Sequence, residues 1–193
     1  MSRTRVTVSL AAVAVGAVLL VALAGCAGSG RGPASGPFDW LRPASAPTGW
    51  NVARIRGGAM LAYPPGWTPL KTDPGTASVA LLGHRERIDG YLNATPRQGN
   101  ETVADWSRFR PQHNQGEGDR GVRLVAATTD GRFRSGRGAC VIDTYSTSKA
   151  SYREIACLVS GPGSSAVVVA TAPIALWHQQ AAELQRAVSS FVA

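Results

Sequence analysis

The stretch ACVIDTYSTSKASYREIACLV, residues 139–159, decides the fold of this chain. Two apolar runs, Ala139–Tyr145 and Tyr152–Val159, are separated by the polar segment 146–151. Apolar runs of this length on either side of a short polar segment predict the two strands of a β-hairpin. We therefore expect a sheet built from neighbouring antiparallel strands.

The two cysteines of this hairpin are predicted to form a disulfide. Centring the turn on residues 146–151 places Cys140 directly opposite Cys157, and opposite residues have Cβ atoms near the separation that a disulfide needs. Cys26 belongs to a separate motif described below, so an even pair remains in an oxidising compartment. A metal site is not expected, because no histidine has ligand spacing to a cysteine. The histidines are His84, His113 and His178.

A second hairpin is predicted immediately before the first. Asp130-Gly131 is a strong signal for a type I′ turn, with one strand over Val122–Thr129 and the next from Arg132 onward. Alternation along these strands places three arginines on the outer face. We predict that they form an anion-binding patch; the alternative is a solvated face without a partner. The three residues are Arg123, Arg132 and Arg134.

Four short strands are predicted before these hairpins and one after them. The early strands are Asn51–Ile55, Ala59–Tyr63, Ser78–Leu82 and Ile88–Ala94. The late strand, Ala166–Ala170, is continuously apolar. A strand that is apolar on both faces is expected near the centre of the sheet.

Two helices are predicted. The first begins at Asn100 or Thr102, where Asp105 completes a capping-box pattern, and it ends at Pro111. A polar loop follows over residues 112–121. The second helix begins at Pro173 and carries one apolar stripe, which packs it on the sheet. The stripe consists of Ile174, Trp177, Ala181, Leu184, Val188 and Phe191.

This order of elements predicts an α+β domain with a mainly antiparallel sheet and helices packed on it. The early strand and corner Ala62-Tyr63-Pro64-Pro65-Gly66-Trp67 resembles the Pro-x-Gly-Trp corner of PsbP-like domains, and the other elements over residues 50–193 fit that pattern. Together with the motif described next, the chain resembles actinobacterial lipoproteins of the LpqN type. The resemblance implies an α/β/α sandwich and a non-enzymatic binding or accessory role, with envelope lipids and transporters as partners.

The N-terminal segment is typical of a lipoprotein signal peptide. Arg3 and Arg5 precede an apolar run over residues 6–24, and Leu23-Ala24-Gly25-Cys26 resembles the lipobox of bacterial lipoproteins. The resemblance implies that residues 1–25 are removed and that Cys26 is lipidated. The alternative is a transmembrane helix over the apolar run. Both interpretations hold the domain at a membrane, on its extracytoplasmic face.

The remaining chain is predicted to consist of a tether and one domain. Residues 26–48 are rich in glycine, alanine, serine and proline, which is typical of a flexible linker. Residues 49–193 are long enough for a single globular domain with its own core. The cluster Phe38-Asp39-Trp40-Leu41 is unusual in a spacer. It either docks on the domain or binds a partner.

The strongly basic composition limits the expected partners. The sequence has 20 basic and 12 acidic residues and a net charge of +8; removing the two arginines of residues 1–25 leaves 18 basic residues and +6. Only Lys71 and Lys149 among them are lysines. Arginine binds phosphate and carboxylate groups well, so we expect an envelope lipid, an anionic polymer or an envelope protein as partner. Nucleic acid is not expected, because the protein is exported.

No motif predicts a catalytic site, a cofactor or a metal. Gly116–Gly121 matches G-x-G-x-x-G, but it follows a helix and precedes a strand, which is the reverse of a dinucleotide fingerprint. Asp143 and Glu154 are interpreted as cross-strand surface neighbours rather than as a paired-carboxylate site. We expect a membrane-anchored, extracytoplasmic, non-enzymatic binding or accessory protein of the cell envelope. The alternative is an envelope hydrolase or transferase whose site the sequence does not reveal.

Overall fold

The computed structural model of the protein describes residues 36–193. Its strands are β1 (Asn51–Arg54), β2 (Met60–Tyr63), β3 (Thr68–Pro69), β4 (Ala77–Leu82), β5 (Ile88–Pro96), β6 (Arg120–Phe133), β7 (Gly136–Ser146), β8 (Ser151–Ser160) and β9 (Ser165–Pro173). The helices are α1 (Trp106–Gly116) and α2 (Trp177–Ser189), with 3-10 turns at His84–Glu86 and Ile174–Leu176. Strands β3 to β9 form one antiparallel sheet in the order β3-β4-β5-β9-β8-β7-β6, and β1 pairs with β2 in a small hairpin.

One helix packs on each face of the large sheet, which gives three layers. Because side chains alternate along a strand, Cys140 and Val141 point to opposite faces. Trp106 of α1 packs with Val141, and we call this side the α1 face. Leu184 of α2 packs in the cluster that contains Cys140, and we call that side the α2 face. The predicted α+β sandwich is confirmed.

The β7–β8 hairpin has the predicted register. Tyr145 pairs with Tyr152, and Cys140 pairs with Cys157. The two cysteines are joined by a disulfide, with Cα atoms 4.1 Å apart, and both are fully buried on the α2 face. Strand β9 lies between β5 and β8, in the interior of the sheet, as its apolar sequence predicted.

The turn predicted at Asp130-Gly131 is wrong. Strand β6 continues through these residues, and the chain reverses only between Phe133 and Gly136, which pair with each other. Gly131 lies at an irregularity of the pairing, where an added Cβ would come within 3.0 Å of the Gly138 carbonyl oxygen and 3.1 Å of Leu41. This close approach favours glycine inside the strand, and the same dipeptide is also the usual signal for a turn.

The observed register separates the three arginines of the predicted patch. Arg123 pairs with Thr144 and lies on the α2 face, whereas Arg132 pairs with Arg137 and lies on the α1 face. Arg134 lies in the turn that follows β6. The predicted anion-binding patch is therefore wrong, because these residues do not share one surface.

Helix α1 begins at Trp106, four residues after Thr102, and it extends further than predicted. Thr102 N–H donates to Asp105 Oδ1 at 2.7 Å, and Asp105 N–H donates to Thr102 Oγ1 at 3.3 Å. These two hydrogen bonds have the reciprocal pattern of a capping box, and they close the turn that precedes the helix. The helix then passes through Pro111 and ends at Gly116, within the predicted loop. Proline removes one helical hydrogen bond. Asn114, one turn later, is buried against the sheet.

Residues 36–48, which we call the strap, lie on the domain. Phe38, Trp40 and Leu41 pack against the core of the α2 face, so the cluster docks and this part of the predicted linker is not a free spacer. Ala44 N–H donates to the Ser189 carbonyl oxygen at 3.1 Å. The signal segment, Cys26 and the linker up to residue 35 lie outside the described residues. Between residues 36 and 193 no helix is both long and apolar enough to cross a bilayer.

Candidate functional site

A cleft of about 430 Å³ opens at one end of the large sheet. We call it the terminal cleft. It lies where β5 begins, where the β7–β8 loop returns, and where β9 passes into its 3-10 turn. Three charged side chains, Glu86, Arg87 and Lys149, border it. The rest of its lining is largely apolar and consists of Ile88, Ala150, Tyr152, Pro173, Ala175 and Leu176.

The loop that carries Lys149 is held by local hydrogen bonds. Thr147 N–H donates to the Ala150 carbonyl oxygen at 2.9 Å. The Thr147 hydroxyl oxygen accepts from the N–H groups of Lys149 at 3.0 Å and Ala150 at 3.3 Å. A side-chain oxygen that accepts nearby backbone donors fixes a tight turn. Lys149 is therefore presented at the border of the cleft by a structured loop.

The two cations of the cleft differ in their partners. Arg87 Nε donates to Asp89 Oδ1 at 2.7 Å, and this hydrogen bond raises the pKa of Arg87. Lys149 is exposed and has no carboxylate within 4.0 Å among residues 36–193. An incoming anionic group would therefore meet a free ammonium at Lys149 and an already paired guanidinium at Arg87.

Backbone strain is concentrated beside the terminal cleft. Arg85 and Glu86 have φ angles of 55° and 57°, and they are the non-glycine residues with positive φ in the described chain. This left-handed conformation is unfavourable for residues with a Cβ. Strain of this kind is common where structure serves binding or catalysis, so it adds a second, independent feature to this end of the sheet.

A group of buried charges lies under α1, and the interpretation of Asp143 and Glu154 as surface neighbours is wrong. The two residues are directly opposite in the β7–β8 pairing and are 0% and 1% exposed. Arg110 Nε and Nη2 donate to Glu154 Oε1 and Oε2 at 2.7 and 2.9 Å. Asn114 Nδ2 makes longer contacts, 3.4 Å to Asp143 Oδ2 and 3.5 Å to Glu154 Oε1. We call these four residues the acid cluster.

The acid cluster contains more negative than positive groups. Burial and the neighbouring Glu154 carboxylate raise the pKa of Asp143 to about 7, although Arg110 acts in the opposite direction. Asp143 Oδ1 is buried without a hydrogen-bond partner. Burial also raises the pKa of the nearby Asp119. One guanidinium therefore faces two carboxyl groups, and a proton on Asp143 relieves the repulsion between them.

The acid cluster fastens α1 to the sheet. Arg110 and Asn114 are four residues apart and so share one face of the helix. Both oxygens of Glu154 are taken up by Arg110, and a bidentate pair of this type is rigid. Arg110 and Glu154 also border a narrower cleft of about 220 Å³ with Tyr91 and Tyr145. Burial raises the pKa of Tyr145, which keeps that phenol neutral.

Sequence reasoning missed Arg110 and Asn114. The available signal is their i, i+4 spacing opposite two strand carboxylates, but a helix that ends at Pro111 leaves Asn114 outside it. The histidines occupy unrelated places: His84 lies in a 3-10 turn, His113 stacks on Phe109 at 5.9 Å between ring centres, and His178 is exposed on α2.

Comparison with solved structures identifies the fold. The chain superposes on the solution structure of the cyanobacterial PsbP protein CyanoP from Synechocystis sp. PCC 6803 with a TM-score of 0.55 and 18% identity, covering 74% of this chain and 91% of that one. PA94, a protein of unknown function from Pseudomonas aeruginosa, superposes with a TM-score of 0.50 and 13% identity, covering 75% and 96%.

The structure of LpqN, described as involved in cell envelope biogenesis of Mycobacterium tuberculosis, matches with a TM-score of 0.39 and 13% identity, covering 84% of this chain and 100% of that one. At that score the likeness supports no argument. No protein-family model and no characterised relative matches the sequence. The antiparallel sheet, the helix on each face and the superposition on CyanoP together show that the chain has a PsbP-like α+β fold.

Proposed function

We propose that the protein is a membrane-anchored, extracytoplasmic, non-enzymatic binding protein of the cell envelope, and that the terminal cleft is its ligand site. The observation that carries this proposal is the combination in that cleft of a largely apolar lining with the free cation Lys149 at its border. Its volume of about 430 Å³ lies within the usual range for small-molecule sites, and such sites are mostly apolar with a few placed polar groups.

An amphiphile with an apolar chain and an anionic group fits this lining. The apolar part would displace water from Ile88, Tyr152 and Leu176, which is favourable in proportion to the area buried. The anionic group would lie near Lys149 and Arg87. Glu86 borders the same cleft and opposes a second negative charge. A singly charged lipid is therefore a better ligand than a polyanion.

Two features support the proposed location outside the cytoplasm, at the membrane. The sequence Leu23-Ala24-Gly25-Cys26 resembles a lipobox, which would attach acyl chains to Cys26. The disulfide between Cys140 and Cys157 needs an oxidising compartment, such as the outside of the cytoplasmic membrane. Both features favour an extracytoplasmic lipoprotein of the type that the sequence resembles.

Native mass spectrometry of the protein purified from its own envelope tests the ligand site. We expect a co-purifying acidic lipid, and we expect Ala175→Trp, which fills the cleft, to abolish it. Ala127→Trp introduces the same side chain at an exposed position on β6 and is the matched control. An equal lipid load on both variants would exclude the terminal cleft as the site. Conversion of the lipid on incubation would favour the hydrolase or transferase alternative.

Fractionation of cells tests the anchor separately. The parent chain is expected in the membrane fraction, and Cys26→Ala is expected to leave the chain unprocessed or released to the medium. Unchanged apparent mass and membrane association in that variant would contradict the lipid anchor.

A further inference from the structure

The strap is surrounded by arginines that have no acidic partner. Arg42 lies within the strap, Arg186 lies on α2 beside it, and both border the shallow hollow between strap and helix with Trp40. Arg134 Nη1 donates to the hydroxyl oxygen of Ser45 in the strap at 3.3 Å. All three arginines are exposed, and none has a carboxylate oxygen within 4.0 Å in residues 36–193. We call them the strap arginines.

The acidic groups near the strap are few and partly engaged. Asp39 Oδ2 accepts the Gly36 N–H at 2.6 Å, so that carboxylate already caps the turn at the start of the strap. Glu183 borders a neighbouring hollow together with Arg186. Three cations against these two carboxylates leave the surface positive. Arginine also suits phosphate oxygens, because its planar fork donates two hydrogen bonds at once.

Docking of the strap shortens the chain between the domain and the anchor. If Cys26 carries the acyl chains, as the proposed function holds, only nine residues lie between it and Gly36, where the described structure begins. These ten Cα–Cα steps reach at most about 35 Å when fully extended, and as a flexible coil they span about 17 Å. The strap is therefore the part of the domain that the anchor holds nearest to the bilayer along the chain.

We propose that the strap arginines form a membrane-facing surface that rests on anionic lipid headgroups. The anchor brings this surface, rather than the opposite end of the domain, within reach of the bilayer. Charges act over about 8–10 Å at physiological salt, so the orientation of the domain decides whether the arginines are attracted. Each basic residue near an anionic leaflet changes the equilibrium by about 5-fold, and three by on the order of 100-fold. This inference rests on the proposed lipid anchor.

Hydrogen exchange of the full lipidated chain in nanodiscs tests the orientation. Amides of the strap are expected to exchange more slowly in discs with one-third phosphatidylglycerol than in discs of phosphatidylcholine alone. The variant Arg42→Gln/Arg134→Gln/Arg186→Gln should remove this difference. Arg97→Gln/Arg108→Gln/Arg120→Gln makes the same change in net charge at exposed arginines outside the strap surface, and it should retain the difference.

The outcomes separate this inference from the proposed anchor. If Cys26→Ala leaves membrane association unchanged, the proposed lipid anchor is wrong, and this result does not depend on the exchange measurement. If the chain is anchored but exchange of the strap is equal in both kinds of disc, the membrane-facing surface is wrong while the anchor stands. If both triple variants lose the difference in strap exchange between the two kinds of disc, net charge alone explains the slower exchange. The assignment to the strap arginines is then overturned.

Discussion

On the α2 face of the sheet, Cys140 and Ile142 are covered by apolar side chains, whereas on the α1 face Asp143 is covered by Arg110 and Asn114 of α1. The contact on the α2 face needs only buried apolar area and complementary shape, because the hydrophobic effect is non-directional. The second needs paired donors and acceptors, because a buried charge without a partner is costly. The sheet therefore holds α2 by apolar packing, and it holds α1 by apolar packing at Trp106 together with the buried charges. Only the charged part of the α1 contact should respond to pH.

The largest effect is expected from removing the cation of the acid cluster. Arg110→Ala leaves two opposed carboxyl groups buried without their guanidinium, and loss of one partner of a buried pair costs about 3–5 kcal/mol. Urea unfolding measures this change in the free energy of unfolding. Arg108→Ala, on the exposed side of the same helix, should change it by less than about 0.5 kcal/mol. Equal values for both variants would show that charge does not hold α1.

Removing the disulfide on the α2 face should lower the free energy of unfolding by less than Arg110→Ala does. The disulfide spans 17 residues in sequence, and the chain-entropy model gives about 3 kcal/mol for a loop of this size. The double variant Cys140→Ala/Cys157→Ala should show this loss in urea unfolding. The parent protein under dithiothreitol should approach the same midpoint. No response of the parent to the reductant would mean that the bridge is absent from the folded protein.

The pH dependence of stability should arise mainly from the α1 face. Burial and the neighbouring Glu154 raise the pKa of Asp143 to about 7 in the folded state, from about 3.9 for an ordinary aspartate. The folded protein therefore binds this proton more tightly than the unfolded chain does. The proton on Asp143 stabilises the folded state fully below about pH 4. This stabilisation is lost as the pH rises to 7, at up to about 1.4 kcal/mol per pH unit. Between pH 5 and 8 the free energy of unfolding should therefore fall by about 2–3 kcal/mol.

The variant Asp143→Asn isolates this contribution, because the amide imitates the protonated carboxyl group and does not titrate. Its unfolding free energy should vary less between pH 5 and 8 than that of the parent, and it should exceed the parent at pH 8. A slope as steep as that of the parent would assign the pH dependence to other groups, among them Asp119.

The smallest effect is expected at the start of α1. Thr102→Ala removes the hydroxyl that accepts the Asp105 N–H in the turn before the helix, and the loss of one such hydrogen bond costs about 1 kcal/mol. Thermal unfolding measures the change, and Thr102→Ser, which keeps the hydroxyl, is the control. A loss as large as that for Arg110→Ala would mean that the local cap, rather than the acid cluster, holds α1 in place.

Local patterns predicted the parts of the fold that local chemistry determines. The register of the β7–β8 hairpin followed from the length of its polar loop, and the disulfide followed from that register. The central position of β9 followed from its unbroken apolar sequence. The capping box at Thr102 and Asp105 was also visible, because both of its hydrogen bonds lie within four residues.

The errors occurred where a distant residue overrides a local signal. Asp130-Gly131 has the sequence of a turn, but the close approach of Leu41 and the neighbouring strand favours glycine inside a strand there. Pro111 is a helix-ending residue, but the helix continues to Gly116 and places Asn114 against the sheet. The position of Asn114 in the acid cluster was missed because this residue lies beyond the predicted end of the helix at Pro111.

The two edges of the large sheet have a consequence for self-association. At one edge, β3 has two residues and includes Pro69, which cannot donate a backbone hydrogen bond. At the other edge, β6 is fourteen residues long, but its pairing with β7 shifts register in three places. Short, proline-containing or irregular edges are poor templates for a strand from another molecule. Copies of this protein crowded together should therefore resist joining edge to edge into fibrils.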